Sequence, residues 1–322
     1  MHSPPYDTLF RQSGSGSGVI PSRGGILVRR RIGIALGAGS AKGLAHLGVL
    51  QVLEENAVEI SYIAGSAICA VIGAAYASDP DAKELALKTK ALLHSEAFDA
   101  IGLEFFVKKD HPGPGLFRRI TDFVRKRFLM SRTAMRPWLV EGEKIESVLR
   151  LILPDIEITQ LKIPFACVAL DLTTGRDVVF KSGSLIQAVR TSMSIPGVFP
   201  YMEIEKGILV DGGVTASVPV DAAREMGAEF VIGVDLLDKM SRDFSVKSGL
   251  EINFRADEIA KRRLNFLRAE KADLLVRPRM DTIHWADFSK PDFCIDRGRE
   301  AALEAIPLLR AKLRKRRRLW PF

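Results

Sequence analysis

The stretch SYIAGSAICAVIGAAYAS, residues 61 to 78, decides how this chain is read. Together with Ile60 it holds no charged residue, so a hydropathy window alone would place a membrane span here. The order of the residues argues otherwise. β-Branched residues come early, Gly65 and Ser66 interrupt the run, and Gly and Ala dominate its second half, which predicts a buried strand, a sharp turn and a tightly packed helix. Hydrolases place a catalytic serine at the tip of such a turn, with small neighbours that let strand and helix approach closely. The small neighbours are present as Ala64, Gly65, Ala70, Gly73 and Ala74. Where Gly-x-Ser-x-Gly is expected, however, the chain reads Gly65-Ser66-Ala67-Ile68-Cys69. It is a serine hydrolase without its nucleophile, a hydrolase using Ser66 instead, or a protein that never did this chemistry.

Outward from this stretch, short apolar runs bounded by Gly, Pro or Asp recur at 31–37, 60–66, 165–172, 208–213, 230–236 and 273–278. Such runs suit strands buried on both faces of a largely parallel sheet. Helical spacing appears between them: Leu44, Leu47, Leu50 and Leu53 in AKGLAHLGVLQVLEENA, then 81–93, 143–152, 185–191, 219–226 and a long segment at 251–271. Alternation of strand and helix predicts an α/β fold, a three-layer α/β/α sandwich with a mainly parallel central sheet.

Composition sets the limits. A chain of 322 residues, 47% apolar, can bury one large α/β core. We expect a flexible tail over residues 1–29, whose SGSGSG run resembles a linker, a main domain over 30–309 and a basic tail over 310–322. Residues 103–142, rich in aromatic and basic side chains, break the alternation and read as a helix packed on the sandwich or as a lid or membrane-facing insertion. Three scattered cysteines, Cys69, Cys167 and Cys294, form neither a disulfide framework nor a metal-ligand spacing, which predicts a reducing, cytoplasmic setting and no metal or other cofactor. The net charge of +8 is uneven: seven basic residues fall within 310–318, followed by Leu319, Trp320 and Phe322. This is a solvated helix end or an anchor to an anionic membrane surface, where each cation contributes about 1 kcal/mol. No nucleic-acid-binding motif accompanies the charge, so a nucleic acid is not expected as partner.

Two further motifs carry chemistry. Gly37-Ala38-Gly39-Ser40-Ala41-Lys42-Gly43 comes directly after the first strand and opens the first helix, where backbone amides and the helix N-terminus can stabilise an anion. Its spacing fits neither the dinucleotide nor the phosphate-loop pattern, and a tight connection without ligand would look the same. Asp211-Gly212-Gly213 closes the apolar strand ILV, at a sheet edge where α/β sites form; taken alone it reads first as a turn. Together, an anion-holding loop, an elbow and an acid make up an acyl-transfer site. The five histidines (His2, His46, His94, His111, His284) lie outside these motifs, and His46 reads as a packed or surface helix residue.

GAGSAKGLAHLGVL, IAGSAICAVIGAAYAS, AVRTSMSIPGVFP and LVDGGVTASVPV, in that order, resemble the patatin-like phospholipase family, in particular its bacterial members, over about residues 31–310. The resemblance implies a serine–aspartate dyad that hydrolyses lipid acyl esters without histidine or metal. It carries Gly37, Ala38, Gly39, Lys42 and Gly43 into the oxyanion hole, Asp211 into the dyad, and Ser194, Pro196, Gly212 and Gly213 into supporting positions. Gly65, Ser66 and Cys69 fall on the elbow. The nucleophile position holds Ala67, so turnover is expected to be lost or strongly impaired. Ser66, one residue earlier on a strand, should aim its hydroxyl away from Asp211. Cys69 belongs to the first helical turn. A lipid acyl ester is the expected ligand, for a hydrolase with its nucleophile replaced or for a natural lipid-binding or membrane-surface protein.

Overall fold

All six apolar runs become strands, and the site is built where two of them hand over to each other. The structure, a computed structural model, describes residues 31–103, 137–237, 248–280 and 283–317. The expected tail at 1–29, nearly all of the insertion at 103–142 and the last five residues lie outside these. Strands β1 (Ile32–Leu36), β2 (Tyr62–Ser66), β3 (Phe165–Asp171), β4 (Asp177–Phe180), β5 (Met202–Ile204), β6 (Gly207–Asp211), β7 (Phe230–Val234) and β8 (Leu274–Val276) form one sheet. Its order is β5-β6-β3-β2-β1-β7-β8, with β4 beside β3. The pairs β3–β2–β1–β7–β8 are parallel; β4, β5 and β6 join antiparallel.

β3 extends past the end of β2. On one edge it pairs with β2 as far as Ser66, opposite Val168; the next residue, Ala169, faces Asp211 of β6. β4 overlaps both partners and so takes the other edge. One strand edge thus passes from the elbow to the aspartate within a single residue step.

Helices α1 (Ala45–Glu55), α2 (Cys69–Ser78), α3 (Ala82–Leu93), α4 (Glu96–Asp99), α5 (Gly142–Ile152), α6 (Leu185–Ser192), α7 (Val220–Glu225), α8 (Gly249–Ala269) and α9 (Pro291–Arg317) flank the sheet. Successive strand residues face opposite layers. Ile34, Leu36, Ile63 and Phe165 pack into a large core with α1, α2, α5, α6 and α9, while Ala35, Ala64 and Val231 meet α7 and Ala269 of α8 on the other face. This is the α/β/α sandwich the alternation predicts. The boundary expected at 309/310 falls within α9, where Leu309 is buried and Leu313 packs on the core. Among the described residues no helix is long and apolar enough to cross a membrane; residues 61–78 are instead β2 and α2.

Candidate active site

The chain leaves β2 at Ser66, turns at Ala67 and enters α2 at Cys69. Ala67 has φ of +57°, the left-handed region that a residue with a Cβ rarely adopts. A strained residue between a strand and a helix is the geometry of a nucleophile elbow. Gly65 makes the close approach possible, since a Cβ there would stand 2.6 Å from the Ala70 Cα. Ser66 is fully buried, its hydroxyl has no hydrogen-bond partner among the described residues, and it does not line the cleft onto which Ala67 opens.

Asp211 ends β6. Its amide donates to the Ser194 carbonyl (3.0 Å) and its Oδ1 accepts from the Gly213 amide (2.6 Å). Burial pushes its carboxyl up to about 7, against the opposing pull of the Gly213 amide and the Lys261 charge. Gly213 marks where the parts converge: a Cβ placed on it would lie 2.8 Å from Ala38 Cβ, 2.9 Å from Asp211 Oδ1 and 3.5 Å from Ala67 Cβ. Behind it, Gly212 sits on the Val168 carbonyl with no room for a side chain. Asn265 of α8, buried, clamps the loop beyond by accepting from the Ser217 amide (2.7 Å) and donating to the Val214 carbonyl (3.3 Å). Ser194 is buried with its hydroxyl on the Arg190 carbonyl, and Pro196 lines the cleft.

The Gly loop is tied down by its own amides. Gly37 donates to Val234 O (3.0 Å), Ala38 to Ser217 O (2.8 Å), Ala41 to Trp285 O (2.8 Å) and Lys42 to Gly39 O (3.1 Å). The Gly37, Ala38 and Lys42 amides, expected to hold an oxyanion, are therefore engaged within the protein. Cys69 packs against the loop, its sulphur 2.5 Å from where a Cβ on Gly43 would stand. Ser40, inside the Gly loop but not among the residues expected to hold the oxyanion, has φ of +52°. His46 is fully buried, and its Nε2 donates to Gly37 O at 2.8 Å, which places the proton on that nitrogen and leaves Nδ1 without a partner among the described residues. Burial holds its pKa down to about 4, so it is neutral at pH 7.

Ala67, Asp211, Ala38, Gly39, Ser40 and Lys42 open onto one cleft of about 330 Å³. Lys261 and Arg262 of α8, Leu236 and Trp285 complete it, all from parts of the sequence that carry no motif. Ser40 and Ile68 also border an apolar pocket of about 80 Å³ reaching toward Ile145, Met193 and Phe288. The structure thus gathers the three sequence motifs into one place, with a carboxyl, a Gly-rich loop and a strand-to-helix turn whose tip carries only a methyl.

An uncharacterized NTE family protein of Mycobacterium tuberculosis is 31% identical over 212 residues, which are 64% of this chain and 49% of that protein. Human patatin-like phospholipase domain-containing protein 6 is 29% identical over 222 residues, 68% of this chain and 14% of that one. The chain spans about half the length of the mycobacterial relative. Among solved structures, that of VipD from Legionella pneumophila aligns with 85% of this chain and 66% of its own at a TM-score of 0.41 and 12% identity. The family model described as patatin-like phospholipase matches residues 34–224, which contain the Gly loop, the elbow and Asp211, and the chain belongs to that family.

Proposed function

We propose that the cleft is the site of a lipid acyl-ester hydrolase of the serine–aspartate type, arrested because its nucleophile position holds Ala67. The observation that carries this is the left-handed Ala67 at the elbow tip, beside the same point that Asp211 and Ala38 face. A backbone strain of about 1–2 kcal/mol at a residue with no reactive group is what an elbow built for a serine retains when only the side chain changes. Family membership supports the lipid acyl ester as ligand class. The apolar pocket reached past Ser40 and Ile68 offers a path for an acyl chain.

With serine at 67, the residues around it define the cycle. Asp211, its carboxyl poised near neutrality, takes the hydroxyl proton as the oxygen attacks the ester carbonyl. The Gly39 and Ser40 amides hold the oxyanion, Asp211 returns the proton to the departing alcohol, and water, giving its own proton to Asp211, attacks and releases the acyl group. The chain as it stands binds acyl esters without cleaving them. The test is hydrolysis of a short acyl ester and of a lysophospholipid by the chain and by its Ala67→Ser/Cys69→Gly variant. Turnover in the variant alone is the expected result; equal activity in the unchanged chain refutes the arrest.

Cys69, a second departure from the elbow pattern, favours one other reading, a natural lipid-binding or membrane-surface protein that has given up catalysis. Surface attachment through 310–322 belongs to either reading. Arg310 bonds the Asn56 side chain and Lys312 the Asp273 carbonyl, both neutral partners that leave these charges uncancelled. Replacing Lys315, Arg316, Arg317 and Arg318 by Ala should weaken binding to anionic vesicles in sedimentation; unchanged binding removes the anchor.

A further inference from the structure

We infer that the outer face of α8 is a docking surface for an anionic lipid bilayer, set at the rim of the cleft. The face stands on the helix itself; the use of the contact, bringing acyl esters to the cleft, rests on the hydrolase reading.

α8 carries its amphipathy reversed. At spacings of three and four residues, Arg255, Glu258, Arg262, Asn265 and Ala269 are buried or half-buried and face the body of the protein. Most of this inner stripe is polar and is tied down there. Glu258 accepts from Arg255 (3.0 Å) and Arg262 (2.9 Å), and Asn265 clamps the Ser217 and Val214 backbone. With the polar stripe turned inward, the opposite face presents Ile252, Ile259, Leu264 and Leu267, all exposed, Leu267 by 67%. Phe266 flanks them, 54% exposed, and with Leu308 of α9 lines an adjoining groove of about 910 Å³. Single apolar residues are ordinary on a protein surface, but a row of them along about four turns of one helix marks an interaction site.

The charges select the partner. From Ile259 to Ala269 the helix carries Lys261, Arg262, Arg263 and Arg268 and no acid. Arg263 is exposed within the apolar face itself, four positions from both Ile259 and Leu267. A second copy docked about a two-fold axis would set this face against itself and take two like-charged Arg263 side chains out of water together. A bilayer accepts both kinds of residue: Ile and Leu enter the acyl boundary, while the long cationic side chains reach back to anionic headgroups. The position fits the same partner. Lys261 and Arg262, on the turns that carry Ile259 and Leu264, line the cleft of Asp211 and Ala67. A bilayer on the outer face therefore lies against the cleft rim. This contact is apolar insertion by a helix lying in the surface, distinct from electrostatic attachment through 310–322.

The test measures binding without turnover. The chain and its Ile259→Gln/Leu264→Gln/Leu267→Gln variant, which alters no cleft residue and keeps helix propensity, are sedimented with vesicles of equal parts phosphatidylcholine and phosphatidylglycerol. Vesicle binding should fall roughly ten- to a hundredfold in the variant. The difference should persist in high salt, which screens the basic tail but not apolar insertion. Equal binding by the chain and the folded variant overturns the inference. A polarity-sensitive dye on a Leu267→Cys chain, whose native cysteines are all buried, reads insertion directly. A blue shift on adding vesicles is expected. No shift overturns the inference, as does a shift that grows with protein concentration without lipid, which assigns the face to a second copy. In the Ala67→Ser/Cys69→Gly background the three glutamines should lower hydrolysis of lysophospholipid carried in vesicles, in proportion to the lost binding, and leave a soluble short acyl ester unaffected; equal losses on both overturn the docking role. Vesicle binding through α8 with no turnover in that background sinks the hydrolase reading and leaves the docking face standing.

Discussion

The two sides of the cleft supply unequal shares of the proposed chemistry. On the acid side every support of Asp211 is in place: the Ser194 carbonyl holds its amide, the Gly213 amide its carboxylate, and Asn265 the loop beyond. On the elbow side the backbone keeps its left-handed turn and close strand–helix packing, yet two side chains depart from what the turn would serve. Shape and chemistry are therefore carried by different atoms. The first resides in backbone and small side chains spread over several elements, the second in single groups that can change without disturbing it.

The largest effect that would break this comparison lies in the acid. In the Ala67→Ser/Cys69→Gly chain, Asp211→Asn should lower kcat by about 10²–10⁴-fold, the range of a general base. Retained turnover would mean that the intact-looking side does not do the chemistry. In the same double variant kcat/KM should rise with pH through an apparent pKa near 7, because the base works ionised and burial has raised it to about 7. A flat profile between about pH 5.5 and 8.5 would dissociate Asp211 from the reaction.

A smaller effect sharpens the contrast through stability. Asp211 is raised from 3.8 to about 7, so the native state holds its proton more tightly than the unfolded chain, and its contribution is lost as pH rises from about 4 to 7. His46, beneath the Gly loop, is lowered from 6.5 to about 4; its contribution is present above 6.5 and lost as pH falls toward 4. The two slopes oppose each other over nearly the same window, each on the order of 3 kcal/mol. Denaturant melts should then show Asp211→Asn gaining stability from about pH 4 to 6.5 relative to the unchanged chain, and His46→Gln losing it. Parallel pH curves for all three would show that neither group is buried.

The smallest effect tests the elbow's strain. Ala67→Gly relieves a left-handed residue and should stabilise by about 0.5–1 kcal/mol, a rise in Tm of about 1–4 °C. A fall in Tm would mean that the methyl packs usefully where strain is inferred.

Much of the fold and of the site is legible in the sequence because it is local. The elbow announces itself by small residues on both sides of a turn, and the central strands by unbroken apolar runs. β4 and β5 escape such a reading for a physical reason: they are four and three residues long and only half-buried, so neither length nor pattern marks them. Their antiparallel entry, with β6, is what brings Asp211 to the elbow, and an expectation of parallel strands does not contain it. The last helix invites division because Pro307 and a dense basic run look like an ending, although Leu309 and Leu313 bind it to the core. Cys69 against Gly43, and Asn265 holding Ser217, join residues separated by 26 and 48 positions, beyond the reach of any local motif.

The pairing of β1 bears on synthesis. Its inner edge finds β2 after some thirty residues, but its outer edge waits for Phe230–Val234, with Ile32 opposite Phe230. At about 5–20 residues per second a ribosome takes roughly 10–40 s to make that stretch. For that time IGIAL presents an unpaired apolar edge, a template for pairing with another nascent chain. The central strand of the finished sheet is thus the most exposed point of the unfinished one, and a chaperone that shields it should raise soluble yield more than one acting after release.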